Sequence, residues 1–169
     1  MRVFSEKQWF NQWWMLLING SLLILLGVFC YRWFVLEEAV DKVAQDDVLG
    51  QILVIVLLLL CFGLPFLFKL HTTIDETGIQ LRFAPFHRNA KRYSWYDISK
   101  CYTRKYRPIS EYGGWGIRFF PNRNDIAYNV KGSMGIQLEL KNGKKILIGT
   151  QRPEAADQII KKYHDNERV

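Results

Sequence analysis

Two uninterrupted apolar runs in the first 70 residues constrain this chain more than anything else in it. From Trp13 to Tyr31 the stretch WWMLLINGSLLILLGVFCY carries no charged side chain over 19 residues, and Leu49 to Phe68 is likewise uncharged. A hydrocarbon layer about 30 Å thick takes roughly 20 apolar helical residues to cross. Core helices of this composition would need a large surrounding protein, and too little of the 169-residue chain is left to provide one. The runs therefore predict two membrane spans, about 13–33 and 49–68, in a helical hairpin occupying residues 1–70. Arg2 and Lys7 precede the first run as they would in a signal peptide, but Val28-Phe29-Cys30 offers no small-x-small cleavage site. Phe29 also argues against a lipid-modified Cys30.

Orientation follows from the cations that flank the spans. The connecting segment VLEEAVDKVAQDDV holds five acids and one lysine, whereas Arg2 and Lys7 precede the first run and Lys69, Arg82 and Arg88 follow the second. Both termini are thus expected in the cytoplasm and the acidic connection on the far side, with the protein in the inner (cell) membrane. Trp9, Phe10, Trp13 and Trp14 at one end, and Tyr31, Trp33 and Phe34 at the other, fit the aromatic belts of the two interfaces. Inside the bilayer, Pro65 frees the carbonyl of Cys61, and the helical rise puts Asn19 at a similar depth. Asn19 is expected to donate to that carbonyl or one nearby while Gly20 lets the helices approach; a bond within its own helix, or to a second copy, is the alternative.

Neither a disulfide framework nor a metal site is expected. Cys30 and Cys61 fall at different membrane depths, Cys101 lies in the reducing cytoplasm, and His71, His87 and His164 are widely separated. No cofactor is expected either.

After residue 70 the pattern changes from continuous apolar to period two, the mark of strands with one buried face. Residues 71–169 carry 18 Lys and Arg against 10 Asp and Glu, which accounts for the net charge of +7 of the whole chain. Thr72 to Asp75 and Gly78 to Ala84 read as a hairpin turning at Glu76-Thr77-Gly78, with Ile79, Leu81 and Phe83 on one face. Further strands are expected at Arg92 to Trp95, Ser99 to Tyr106, Trp115 to Phe120, Ile126 to Val130, Met134 to Leu140 and Lys144 to Ile148. Asn142-Gly143 suggests a two-residue turn, but that would put Lys145 on the apolar face of Ile136, Leu138 and Leu140. A three-residue loop with Gly143 left-handed pairs Leu138 with Ile146, Ile136 with Ile148 and Glu139 with Lys145, and is preferred because the buried face fixes register. PEAADQIIKKY then reads as a helix with Ala156, Ile159, Ile160 and Tyr163 on one stripe. The expected fold is an α+β membrane protein: a two-helix transmembrane hairpin, then about seven antiparallel strands in a bent sheet or barrel capped by a C-terminal helix.

The residues SEYGGWGIR, followed by AYNVKGSMGIQLELKNGKKILIGTQRPE, resemble the small bacterial membrane proteins that carry a pleckstrin-homology-like (PH-like) domain. The resemblance covers about Thr72 to Tyr163, and two preceding spans are usual in that group. It implies a PH-like cytoplasmic domain at residues 71–169 and a membrane anchor. It carries no catalytic residues. PH-like folds bind lipid headgroups, peptides or their own copies, and the resemblance leaves that choice open.

Several stretches invite a chemical reading. Gly113-Gly114-Trp115-Gly116 has the glycines of a phosphate loop but no Lys-Ser/Thr, and it runs into a strand pattern rather than a helix. It reads as a turn, with Tyr112 and Trp115 as a possible peptide- or lipid-contact edge. No Gly-x-Ser-x-Gly elbow or serine–histidine spacing supports nucleophilic catalysis, so the chain is not expected to be an enzyme. Basic residues cluster as Arg88, Lys91 and Arg92 and as Arg104, Lys105 and Arg107, interleaved with Tyr93, Trp95, Tyr102 and Tyr106. A solvated positive surface, contact with anionic lipid, and nucleic-acid binding all fit such interleaving. A domain tethered to the cytoplasmic leaflet meets lipid first, so nucleic acid is not the expected partner. Two functions remain: a membrane-anchored binding or scaffold module contacting lipid, partner proteins or its own copies, and an accessory subunit of a larger transport or enzyme complex.

Overall fold

The computed structural model describes residues 3–40, 43–44, 46–120 and 124–164. They fall into two compact units, one of which is Asn11–Leu67 and the other the residues on either side of it. The acidic connection expected from the sequence is described only in part, since Asp41, Lys42 and Gln45 lie outside these ranges.

The Asn11–Leu67 unit contains α1 (Trp13–Phe34) and α2 (Val48–Leu67). Both are long and apolar enough to cross a membrane, with mean hydropathies of 2.0 and 2.6, and little of either is buried. Their bounds match the expected spans within a residue. Pro65 lies in the last turn of α2, where it lacks the amide that would bond the Cys61 carbonyl. The packing expected around it differs. Asn19 is buried, yet its Nδ2 has no hydrogen-bond partner, so the predicted bond to the Cys61 carbonyl is not made. Nor does Gly20 mark a close helix approach, since a Cβ there would meet nothing within 4 Å. Trp33 is 3% exposed and thus does not belong to the outer aromatic belt.

The other unit is built from two sheets. In the first, β1 (Phe4–Trp9), β2 (Lys69–Asp75), β3 (Gly78–Ala84) and β4 (Lys91–Ser94) form an antiparallel meander in sequence order. β1 corrects the sequence reading, which assigned residues 1–70 to the helical hairpin. Its burial alternates strictly, with Phe4, Glu6 and Gln8 inward, but two of those three are polar and give no apolar period-two signal. They are held by hydrogen bonds. Thr150 Oγ1 and the Gln151 amide donate to Glu6 at 2.7 and 2.8 Å, and Gln8 Nε2 donates to the Gly149 carbonyl at 2.7 Å.

A 3-10 turn, Trp95–Asp97, leads into the second sheet, ordered β5-β8-β9-β7-β6. Its strands are β5 (Ile98–Lys105), β6 (Gly116–Phe120), β7 (Asp125–Asn129), β8 (Met134–Leu140) and β9 (Lys145–Gly149). The expectation of an all-antiparallel set of seven is corrected: nine strands lie among the described residues, and β7 pairs with β9 in parallel. The strands make two sheets rather than one closed ring. The hairpin β8–β9 has the expected register, with Leu138 opposite Ile146, Ile136 opposite Ile148 and Glu139 opposite Lys145. Gly143 sits at φ +81°, the left-handed position that loop requires.

Between β5 and β6 lies a helix the sequence reading did not anticipate, α3 (Pro108–Tyr112). Proline opens it, and Gly113 at φ +67° closes it as its amide donates to the Ile109 carbonyl while the Gly114 amide reaches that of Pro108. The glycine-rich stretch is therefore a helix end followed by a strand entry. α4 (Pro153–His164) closes the unit, burying Ala156 and Ile160 against a core that includes Leu70, Ile74, Phe83, Ile136, Leu138 and Ile148.

Candidate functional site

The outer face of the first sheet carries a line of basic residues. Because side chains alternate across a strand, the outward positions of β1 are Ser5, Lys7 and Trp9, and Lys7 pairs with His71 of β2, which pairs with Arg82 of β3. Three basic side chains thus lie side by side across three strands, where opposed Cβ atoms are about 5 Å apart. Lys69 lies two positions before His71 on β2, opposite Trp9 and Ala84. Lys7, Trp9, Lys69, His71 and Arg82 line a shallow cavity of about 360 Å³.

The electrostatics of this row are one-sided. Among the described residues no carboxylate lies within ion-pairing distance of Lys7, Lys69 or Arg82. Arg82 spends its Nε on the His87 carbonyl at 3.3 Å, and Ser5 Oγ lies 3.1 Å from His71 Nε2. Burial, then Lys7, then Arg82 hold the His71 imidazole below its ordinary pKa. Lys7 and Arg82 flank that imidazole from the neighbouring strands. An anion placed over the row would be attracted by both cations, and Trp9 offers an apolar edge beside it.

The basic residues singled out in the sequence are dispersed by comparison. Arg104 is committed internally: its Nη1 donates to Glu111 at 2.9 Å, its Nη2 to the Tyr112 hydroxyl and its Nε to Gln137. Lys91 donates to the Tyr128 hydroxyl at 2.9 Å. Burial pushes the neighbouring Tyr93 hydroxyl up to about 12. Arg88, Arg92, Lys105 and Arg107 are exposed, and the Arg107 amide donates to Glu111. Tyr112 is corrected from a contact edge to a core residue, 5% exposed, packed edge-on against Tyr106 and Phe120. Trp115 is half-buried, with its indole donating to the Gly132 carbonyl at 3.1 Å.

What the sequence reading missed is that Lys7 joins the row at all. The signal was present in the alternation of Ser5, Lys7 and Trp9, but it becomes legible only once β1 is known to pair with β2. Among the described residues no group of three or more His, Cys, Asp or Glu is placed to hold a metal ion. A scan against protein-family models finds no match to this chain, and a search of curated proteins finds none.

Proposed function

We propose that the chain is a non-enzymatic, membrane-anchored binding module whose strand-rich domain rests on anionic phospholipid headgroups through Lys7, Lys69, His71 and Arg82. The observation that carries this reading is the Lys7–His71–Arg82 row, with no acid partner among the described residues, on three strands of which two, β1 and β2, are joined in sequence to α1 and α2. Trp9 and Lys69, the paired strand ends, are separated from α1 and α2 by three residues and by one. A residue that close in the chain to a membrane span stays near the headgroups, where each cation contributes about 1 kcal/mol toward an anionic surface. In this reading α1 and α2 cross the inner membrane and both termini are cytoplasmic, which the acid-rich connection supports.

We also read the domain as PH-like. β1–β4, then β5, β8, β9 and α4, supply seven strands and a closing helix, to which the β6–β7 hairpin is added along the edge of β9. Native mass spectrometry of the detergent-purified full chain tests the function. Adducts of an anionic phospholipid should persist at activation energies that strip a neutral one. Replacing Lys7, Lys69 and Arg82 by glutamine should abolish that difference. Equal retention of both lipids by the unmodified chain would contradict the reading, and a co-purifying protein at fixed stoichiometry would favour an accessory subunit.

A further inference from the structure

A second cavity, of about 410 Å³, opens in the strand-rich unit near the same strand ends. Phe10, Phe68, Phe83, Phe86, Trp115 and Ile117 line it, so its wall is almost wholly aromatic or aliphatic. The rings support one another: Phe68 stacks on Phe86 at 5.7 Å, and Phe10 meets Phe68 edge-on at 6.0 Å. Phe86 is nevertheless 64% exposed, a large aromatic side chain left partly uncovered at a concave apolar site. One cation joins the lining. Arg118 has no carboxylate partner among the described residues, and its guanidinium lies beside Gly114, where even a Cβ would stand 3.2 Å from Nη2.

The cavity's place in the chain restricts what can fill it. Phe68 directly follows Leu67, the last residue of α2, and Phe10 lies three residues before Trp13, the first of α1. Two of its aromatic walls are therefore the continuations of two helices apolar enough to cross a membrane. With α1 and α2 in the bilayer, as the proposed function has them, residues this close in the chain to the spans meet phospholipid at far higher local concentration than any soluble ligand. Its volume is within the range of small-molecule sites, which are mostly apolar with a few placed polar groups.

We propose that this cavity holds one acyl chain of a membrane phospholipid, drawn up from the adjoining leaflet, with the lipid's phosphate facing Arg118. The site is separate from the basic row: apart from Arg118 its lining is apolar, it includes Phe83 on the face of β3 opposite to Arg82, and it selects for chain rather than for one headgroup over another. It shares with the proposed function only the membrane location of α1 and α2. Gly116, at φ +117°, keeps the floor between Trp115 and Ile117 free of a side chain. An acyl chain would cover Phe86 and thus remove an apolar surface from water.

Photo-crosslinking tests this. The full chain is reconstituted in nanodiscs containing a phosphatidylcholine with a diazirine midway along one acyl chain, irradiated, digested and mapped by mass spectrometry. Labels are expected on α1 and α2 and also on Phe86 and residues 115–118. Ile117→Trp, which fills the cavity, and Phe86→Asp, an exposed change that charges its mouth, should each lower the 115–118 label at least fivefold and leave the span label unchanged. Span labelling without any label at residues 83–86 or 115–118 would overturn the proposal while leaving the basic row untouched. Label there that both variants retain at the unmodified level would also overturn it. An unlabelled α1 and α2 would instead remove the membrane location on which both readings stand.

Discussion

His71 and Glu6 carry the most specific consequences at the level of single side chains. His71 and His87 both have their pKa lowered, chiefly by burial, with Lys7 and Arg82 adding to the first and Lys91 to the second. A base whose folded pKa is depressed binds its proton more readily unfolded, so its contribution to stability is present above the ordinary value of 6.5 and is lost as pH falls through the folded value. The melting temperature should therefore be flat above pH 7 and decline below about 6.5, less steeply in His71→Gln. Retention of anionic phospholipid should run the other way, strengthening on acidification as His71 joins the row as a cation. A pH-independent retention would remove His71 from the site. Glu6 is buried, and its carboxylate takes donors from Thr150 and Gln151. Glu6→Ala leaves both donors unmatched and should cost about 1–3 kcal/mol in denaturant unfolding, whereas an exposed position such as Ser5→Ala should cost little.

At the level of elements, β1 decides how the domain is bounded. The outward positions Ser5 and Thr73 pair directly across β1 and β2, and opposed Cβ atoms in such a pair are near the separation a disulfide needs. A Ser5→Cys/Thr73→Cys double variant should form an intramolecular crosslink on mild oxidation, seen as a mass loss of two hydrogens and protection from separation after cleavage within the connection between α1 and α2. Failure to crosslink would return residues 4–9 to the helical hairpin. The elements the sequence revealed are those whose buried face is apolar throughout. Ile79, Leu81 and Phe83 gave β3, and Ile136, Leu138, Ile146 and Ile148 fixed the register of β8 with β9. Those it concealed mix polar residues into the buried face, as Glu6 and Gln8 do in β1, or are too short for a period, as in α3. The parallel pairing of β7 with β9 was not legible because it joins strands that are not neighbours in sequence. In the same way the basic row needed three strands from both sides of the helical hairpin, whereas the clusters at Arg88–Arg92 and Arg104–Arg107 were visible only because they are contiguous. Proximity in sequence proved a poor guide there, since Arg104 is tied to Glu111 and Lys91 to Tyr128.

For the molecule as a whole, the account joins two apolar helices to a basic sheet face by connections of three residues and one. On the proposed reading, with α1 and α2 in the bilayer, connections this short tether the strand ends near the headgroups, and contact with lipid then needs only a complementary charge. Because exposed charges are screened over about 10 Å at 0.1 M salt, the contact should weaken as ionic strength rises. Lysine acetylation of the unmodified full chain in nanodiscs measures this directly, with each lysine reporting its own surroundings. Lys7 and Lys69 should react several-fold more slowly in nanodiscs containing anionic phospholipid than in purely neutral ones, and high salt should erase the difference. Lys100 and Lys162, exposed on β5 and α4, should react at the same rate in both. Equal rates for Lys7 and Lys69 in the two lipids, or protection confined to Lys91 and Lys105, would contradict the account.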